Sequence, residues 1–332
     1  MRMDRIDRRT ALKLAGALFA LRLGRGAFAE ELPAGAGAST PAGVAPRAPQ
    51  TASNFRAVYS DPVQREEFLL FLRNVFHLYP EDRFHALIAE IAARRASDEE
   101  IYRELQERLP EITPWLSQVS YALPALSKQK HEMSEETIRL LGSQHSFEGY
   151  VEIGSPGRYV KSLRKRLDID GSVYLVNDYD PGLSPNDVFE RGGLLEAGRY
   201  VPLGDYEPID ARIPAGSVDL VSNYIGFHHA PAPRLEPFIA SIRRVLRPGG
   251  RLVVRDHDVD TSARWSMVAL AHDVFNAGVG LSWRDNAAQI RNFTSLPELE
   301  ALLRAQGFER AAGAQLQDGD PTRNTLLLFV RA

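Results

Sequence analysis

The chain has 332 residues, with 40 basic and 43 acidic side chains and no cysteine. Its composition, 44% hydrophobic and 25% charged, is that of a globular protein and excludes wholesale disorder. The lack of cysteine excludes disulfides, cysteine-ligated zinc, iron–sulfur clusters and thiol catalysis. A formal net charge of −3 offers no basic excess to neutralise phosphates, which argues against a nucleic-acid partner.

The N-terminus has the pattern of an export signal. Residues 1–29 carry a net charge of +5, so the rest of the chain carries −8. The Arg8-Arg9 pair resembles a twin-arginine signal, which directs export of folded proteins. The apolar run Ala11–Leu21 is too short to span a bilayer, and Ala27–Ala29 fits a signal-peptidase site. We therefore expect the twin-arginine export machinery as a partner, a periplasmic location and no stable membrane span. If the signal is not functional, the location is cytoplasmic, and the alternative structure is an amphipathic basic helix.

The remaining chain divides by composition and periodicity. Residues 30–54 are rich in Pro, Ala, Gly, Ser and Thr and predict a disordered linker. Residues 55–144 have apolar side chains at helical spacing and predict a helical N-terminal region. Residues 145–332 predict an α/β domain. Within it, residues 261–293 are expected to form an insertion that acts as a lid over a pocket.

The α/β prediction rests on β-branched runs that alternate with helical stretches. The predicted strands are Tyr150–Ile153, Val173–Asn177, Val218–Ser222, Leu252–Arg255 and Asn324–Val330. The predicted helices are Arg158–Leu167, Ala232–Leu246 and Leu296–Gln306. Such alternation indicates right-handed crossovers and a mostly parallel sheet with helices on both faces.

Glycines and acids occur at the ends of the predicted strands. Gly154 and Gly157 lie between the first strand and a helix, where a ligand can approach the backbone closely. Asp178 ends the second strand, a position from which an acid binds ribose hydroxyls in dinucleotide-binding folds. Asp205 lies where a third strand would end.

These motifs, with Glu152, the run VDLVSNYIGFHHAP from Val218 and VLRPGGRLVVRD from Val245, occur in a recognisable order. The order resembles class I S-adenosylmethionine-dependent methyltransferases, of the methyltransferase type 11 group, over about residues 145–332. The resemblance implies a Rossmann-like seven-stranded sheet, mostly parallel, whose last strand is antiparallel. It also implies S-adenosyl-L-methionine as the cofactor and a small molecule as the methyl acceptor.

The resemblance further implies roles for individual residues. The residues expected to bind the cofactor are Glu152, Gly154 and Gly157 at its methionine and ribose part, Asp178 at the ribose, Asp205 and Tyr206 at the adenine, and Asn223 near the sulfonium. Tyr224 is expected beside the incoming substrate. Pro156 departs from the family's glycine loop because proline removes a backbone N–H and fixes φ, so the loop must differ locally.

Two polar clusters, His228-His229 and Arg255–Asp258, follow the fourth and fifth predicted strands. The functional interpretation makes His257 or His229 a general base for the acceptor, whereas the alternative is packing at the strand ends. A further alternative joins His228, His229, His257 and Asp258 in a metal site, because imidazoles and a carboxylate suit zinc or iron. Adjacent residues on a strand point in opposite directions, so at most one of the pair is expected to bind, and no metal is assigned. The competing functions are a non-catalytic exported binding module and a metal-dependent hydrolase.

Overall fold

A computed structural model describes residues 53–113 and 123–332. The signal and nearly all of the linker proposed from the sequence lie outside these residues. The first described part is helical: α1 is Asn54–Tyr59, α2 is Pro62–Phe71 with a π-helical continuation Leu72–Phe76, α3 is Glu81–Arg94, α4 is Asp98–Ile112 and α5 is Leu123–Leu141. Helix α4 begins with a capping box in which the Ser97 hydroxyl and the Glu100 carboxylate satisfy each other's backbone N–H groups.

The strands that follow form one sheet. They are β1 Ser146–Ile153, β2 Asp168–Asn177, β3 Arg199–Pro202, β4 Val218–Asn223, β5 Leu246–His257, β6 Phe308–Arg310, β7 Gln315–Leu316 and β8 Asn324–Arg331. The order is β3-β2-β1-β4-β5-β8-β6, and β7 pairs with β8. Strands β1 to β5 are parallel, whereas β8 is antiparallel to β5. The expected Rossmann-like α/β fold is confirmed, and the two-residue β7 adds an eighth strand to the expected seven.

Helices cover both faces of the sheet. In the second part of the chain they are α6 Val160–Leu163, α7 Pro185–Arg191, α8 Ala232–Val245, α9 Ser262–Gly278, α10 Trp283–Ala287 and α11 Leu296–Ala305. Because strand side chains alternate, Val151 and Ile153 pack against α8 and α11, whereas Tyr150 packs with α5 and α6 on the opposite face. Helix α6 is shorter than the predicted Arg158–Leu167, since the preceding residues form a loop.

Helix α9 joins the N-terminal helices in a separate hydrophobic core. Met267, Leu270 and Val274 of α9 are buried in one cluster with apolar side chains from α1 to α4. The Tyr79 hydroxyl donates a hydrogen bond of 2.7 Å to the carbonyl oxygen of Gly278. The segment 261–293, expected as a lid, therefore contains a core helix that is buried on most of its surface. Within the described part of the chain, no helix has the length and apolar character to cross a membrane.

Candidate functional site

The carboxyl ends of five parallel strands meet at one edge of the sheet. Open α/β sheets bind ligands at this edge, because loops from neighbouring strands leave a crevice there. The order of the strands places the loops after β2, β1, β4 and β5 side by side along this edge. The residues selected from the sequence occur mainly in those loops, so the topology brings them to the same edge.

The loop after β1 requires glycine at two positions. Gly154 has a φ of +83°, and a Cβ atom there would lie 2.5 Å from the Ile225 side chain. Gly157 has a φ of +91°, and its Cβ atom would lie 2.6 Å from that of Ala197. Both the left-handed backbone and the lack of space exclude a side chain. The loop thus keeps a glycine turn although Pro156 replaces the family's usual glycine.

Glu152 holds this loop in place from inside the protein. Its carboxylate is buried and accepts hydrogen bonds from the hydroxyls of Ser155 and Tyr150 and from the backbone N–H of Tyr159. Burial raises the pKa of Glu152, although these hydrogen bonds act in the opposite direction. The Glu152 carboxylate therefore fixes the loop after β1. Its effect on a ligand would be indirect, through the position of the loop backbone.

Two acids face each other after β2 and β3. Asp178 is half-buried and makes no hydrogen bond within the described residues. Burial, together with the charge of Asp205, raises the pKa of Asp178 to about 6. Asp205 lies 3.8 Å from the Arg234 guanidinium, measured from Oδ2 to Nε. The Asp178 carboxylate is thus free to accept hydrogen bonds from a ligand at this edge.

Tyr206 and Asn223 bring polar atoms to the same edge without satisfying them. The Tyr206 ring packs edge-on against Phe238 at 5.2 Å, and its hydroxyl is buried with no partner among the described residues. Asn223, at the end of β4, is fully buried; its Oδ1 accepts the N–H of Ile225, but its Nδ2 is also unpartnered in the described part. A buried polar group without a partner is costly, so both atoms indicate a missing ligand or water.

Tyr224 points away from this edge. Its ring lies 4.6 Å from that of Tyr159, and its hydroxyl is 2.9 Å from the Thr137 hydroxyl on α5. Burial raises the pKa of Tyr224 well above its ordinary value. The side chain expected beside the substrate thus packs against Tyr159 and α5.

The buried histidines after β4 and β5 form one group with the half-buried His272 of α9. The ring centroids of His228 and His229 are 4.2 Å apart, and His257 lies 5.5 Å from His228. His272 lies 5.3–5.5 Å from all three. Burial lowers the pKa of His229 and His272 well below the ordinary range and that of His257 to about 4, so these rings are neutral at pH 7.

Asp256 organises this group, although the sequence placed it only within the polar cluster Arg255–Asp258 and gave it no role of its own. Its carboxylate accepts hydrogen bonds from His228 Nδ1 at 2.6 Å, from Phe227 N–H at 2.7 Å and from His257 N–H at 2.9 Å. Burial alone would raise the pKa of Asp256, but His228 and these hydrogen bonds lower it. The alternating run of β5 indicates that Asp256 and His257 point to opposite faces, but not that Asp256 reaches His228.

The structure arranges two parts of the alternative metal site differently around the histidines. Asp258 does not join them: it accepts a hydrogen bond from the N–H of Leu296 and pairs with Arg323 at 3.3 Å. His228 and His229 both contribute to the group, because they lie in the turn beyond β4, where the alternation of a strand does not apply.

A cavity of about 280 Å³ lies beside α9. It is lined by Asn54, Trp265, Asp273, Trp283, Asn286, Ala287, Gln289 and Arg291. The Trp265 ring is 5.7 Å from Phe293, which in turn packs on His228 at 5.1 Å. The contacts thus run from the cavity wall at Trp265 through the Phe293 ring to His228, and the wall is mixed aromatic and polar.

Comparisons with known proteins agree with the topology. Residues 151–254 match a family model described as a methyltransferase domain. This segment runs from β1 into β5 and includes the glycine loop, both acids and Asn223. No curated protein matches the chain.

Several solved structures are similar to the chain at low sequence identity. A Burkholderia thailandensis 1,6-didemethyltoxoflavin-N1-methyltransferase, with its substrate and S-adenosylhomocysteine bound, is 16% identical with a TM-score of 0.41; the match covers 63% of this chain and 79% of that one. An O-methyltransferase family protein from the same organism is 14% identical (TM-score 0.42; 84% and 72% covered). A SAM-dependent methyltransferase from Aquifex aeolicus is 14% identical (TM-score 0.39; 63% and 98% covered).

Proposed function

We propose that this protein is an S-adenosylmethionine-dependent methyltransferase that acts on a small molecule. The observation that carries the proposal is the polar edge of the methyltransferase domain. There a free carboxylate at Asp178 and unpartnered buried atoms at Tyr206 and Asn223 occur together within the described residues. Protein interiors rarely leave such atoms unsatisfied, so a polar ligand is the simplest partner for them.

The residues at this edge fit the cofactor. Asp178 would accept hydrogen bonds from the ribose hydroxyls, and Asp205 and Tyr206 would border the adenine. The backbone at Gly154 and Gly157 would lie against the methionine and ribose part. The Tyr206 hydroxyl and the Asn223 Nδ2 are buried, so water does not compete with a ligand for them. Their hydrogen bonds to a ligand would be stronger for this reason.

The chemistry divides between the cofactor and the chain. When bound, S-adenosyl-L-methionine supplies an electrophilic methyl group on its sulfonium. The chain contributes alignment of the acceptor and exclusion of water, which are the main requirements of a direct displacement. His229 and His257 remain the candidates for accepting a proton. Their lowered pKa makes them weak bases, so alignment is the larger contribution.

We also propose that the protein is exported through the twin-arginine machinery to the periplasm. The basis is the Arg8-Arg9 pair, the apolar run and the site at Ala27–Ala29. Because this route carries folded proteins, the chain could leave the cytoplasm with its cofactor already bound. Fusion of residues 1–35 to a reporter protein tests this proposal. A reporter that reaches the periplasm, and no longer does so when Arg8→Lys and Arg9→Lys are combined, would support it. A reporter found only in the cytoplasm would contradict it.

Calorimetry on the full chain tests the proposed function. We expect one site per chain that binds both S-adenosylmethionine and S-adenosylhomocysteine. Binding by neither compound would contradict the proposal. Binding followed by methyl transfer to no member of a small-molecule library would favour the alternative, an exported binding module.

A further inference from the structure

We infer that His228, His229 and His272 form a binding site for a zinc ion. One nitrogen of each ring lies within 4.8 Å of the corresponding nitrogens of the other two. Four of the eight histidines of the chain pack together here. The fourth is His257, which packs against His228 and His272 but is not one of the three residues whose nitrogens lie within 4.8 Å of one another. This inference goes beyond the proposed methyl transfer; with zinc on His229, His257 is the remaining candidate for accepting a proton.

The hydrogen bonds of the rings identify which nitrogen faces the centre. His229 Nδ1 is 3.2 Å from the carbonyl oxygen of Ile290, and His272 Nδ1 is 2.9 Å from that of Val268. A carbonyl oxygen can only accept, so each Nδ1 carries the proton and each Nε2 has a free lone pair. No hydrogen bond within residues 53–113 and 123–332 uses Nε2 of either ring.

His228 shows the same arrangement with a carboxylate behind it. Its Nδ1 donates to Asp256 at 2.6 Å, and its Nε2 is buried without a partner in the described part of the chain. A carboxylate that orients the far nitrogen of an imidazole is the usual second partner of a metal-binding histidine. Its negative charge also offsets part of the charge of a divalent ion.

The geometry and the surroundings suit zinc. Tetrahedral coordination at about 2.0–2.1 Å needs nitrogens about 3.3 Å apart, so small rotations of the rings would close the site. Three imidazoles without a thiolate favour zinc and its neighbours over magnesium or calcium. The Phe293 ring packs on His228 at 5.1 Å and on His272 at 5.3 Å, which limits the access of water.

Packing alone is the competing explanation, and metal analysis distinguishes the two. The full chain is stripped with a chelator, titrated with ZnCl₂ and analysed by mass spectrometry for bound metal. We expect one zinc per chain. His229→Gln and His272→Gln should each weaken binding more than about 100-fold, and Asp256→Asn about 10- to 100-fold. Replacement of the exposed His131 or His145 by Gln is the matched control and should change nothing.

A second measurement covers variants that fail to fold. X-ray absorption at the zinc edge of the loaded wild-type chain should show three imidazole nitrogens. This coordination would support the site if zinc also raises the melting temperature of the wild-type chain and His272→Gln abolishes that rise. Less than one-tenth of an equivalent of zinc, oxygen-only coordination, or affinity equal in wild type and His272→Gln would overturn the inference.

Discussion

Replacement of Asp178 by Asn removes a charged acceptor from the edge where the cofactor is proposed to bind. In the structure this carboxylate is half-buried and makes no hydrogen bond within the described residues, so its loss breaks no contact that stabilises the fold. Hydrogen bonds to charged groups contribute about 1.5–3 kcal/mol. We therefore expect binding of S-adenosylhomocysteine at pH 8 to weaken by about 10- to 150-fold. The melting temperature should not fall, because the raised pKa of Asp178 means that its ionised form does not stabilise the fold.

The same residue predicts how affinity depends on pH. The pKa of Asp178 is raised to about 6, and the ionised carboxylate is the form that binds the ribose. The affinity for S-adenosylhomocysteine should therefore be highest well above pH 6 and should decrease as the pH falls below 6. At pH 5 the ionised fraction is about one-tenth, so affinity should be about tenfold lower than at pH 8. Asp205→Asn removes the neighbouring charge and should move the midpoint to lower pH.

Titration calorimetry between pH 5 and pH 8 measures all of these effects. Asp180→Asn is the matched control, because Asp180 is exposed on the same loop and should leave affinity and midpoint unchanged. Equal affinity in wild type and Asp178→Asn would refute the assignment of this acid to the ribose. A midpoint near 6 that persists in Asp178→Asn would show that another group titrates.

Three further substitutions test the loop, the aromatic packing and the buried ion pair. Gly154→Ala should destabilise the protein by about 2–4 kcal/mol, measured by urea unfolding, because it adds backbone strain and overpacking. Tyr224→Phe removes the bond to Thr137 and should cost about 1 kcal/mol in the same assay, with cofactor affinity unchanged. Arg291→Gln leaves the buried carboxylate of Asp273 without its partner at 2.7 Å and should cost about 3–5 kcal/mol.

Each of these predictions has an outcome that contradicts it. A Gly154→Ala variant as stable as wild type would show that the loop adapts. Weaker cofactor binding by Tyr224→Phe would restore the role expected from the sequence. For the ion pair, Arg73→Gln is the control, since Arg73 and Asp82 pair at an exposed surface and should contribute little. Equal losses for the two arginine variants would contradict the importance of burial.

The fold could be predicted because its signals are local. Strand β8 was expected at Asn324–Val330 and spans Asn324–Arg331, and helix α8 differs from its prediction by one residue. The π-helical turn at Leu72–Phe76 and the two-residue β7 could not be predicted, because each depends on tertiary contacts. The packing of α9 against α1 to α4 has the same origin: apolar residues all around a helix indicate burial but not the partner.

The local geometry at the strand ends was predictable where a residue type implies one backbone conformation or one environment. Gly154 and Gly157 have the left-handed backbone that the turn suggested, and Asp178 has the free carboxylate. The direction of Tyr224 into the core depends on Thr137, far away in the sequence. The place of His272 beside His228 follows from the docking of a whole helix. No short-range pattern shows such contacts.

A crystal structure of the full chain with S-adenosylhomocysteine tests the central claim most directly. The account predicts density for the ligand at the carboxyl edge, with the ribose hydroxyls within hydrogen-bond distance of Asp178 and polar atoms of the ligand next to Tyr206 and Asn223. Two results from crystals grown at saturating ligand would contradict the account. One is an edge that contains only water, and the other is a ligand bound elsewhere on the protein.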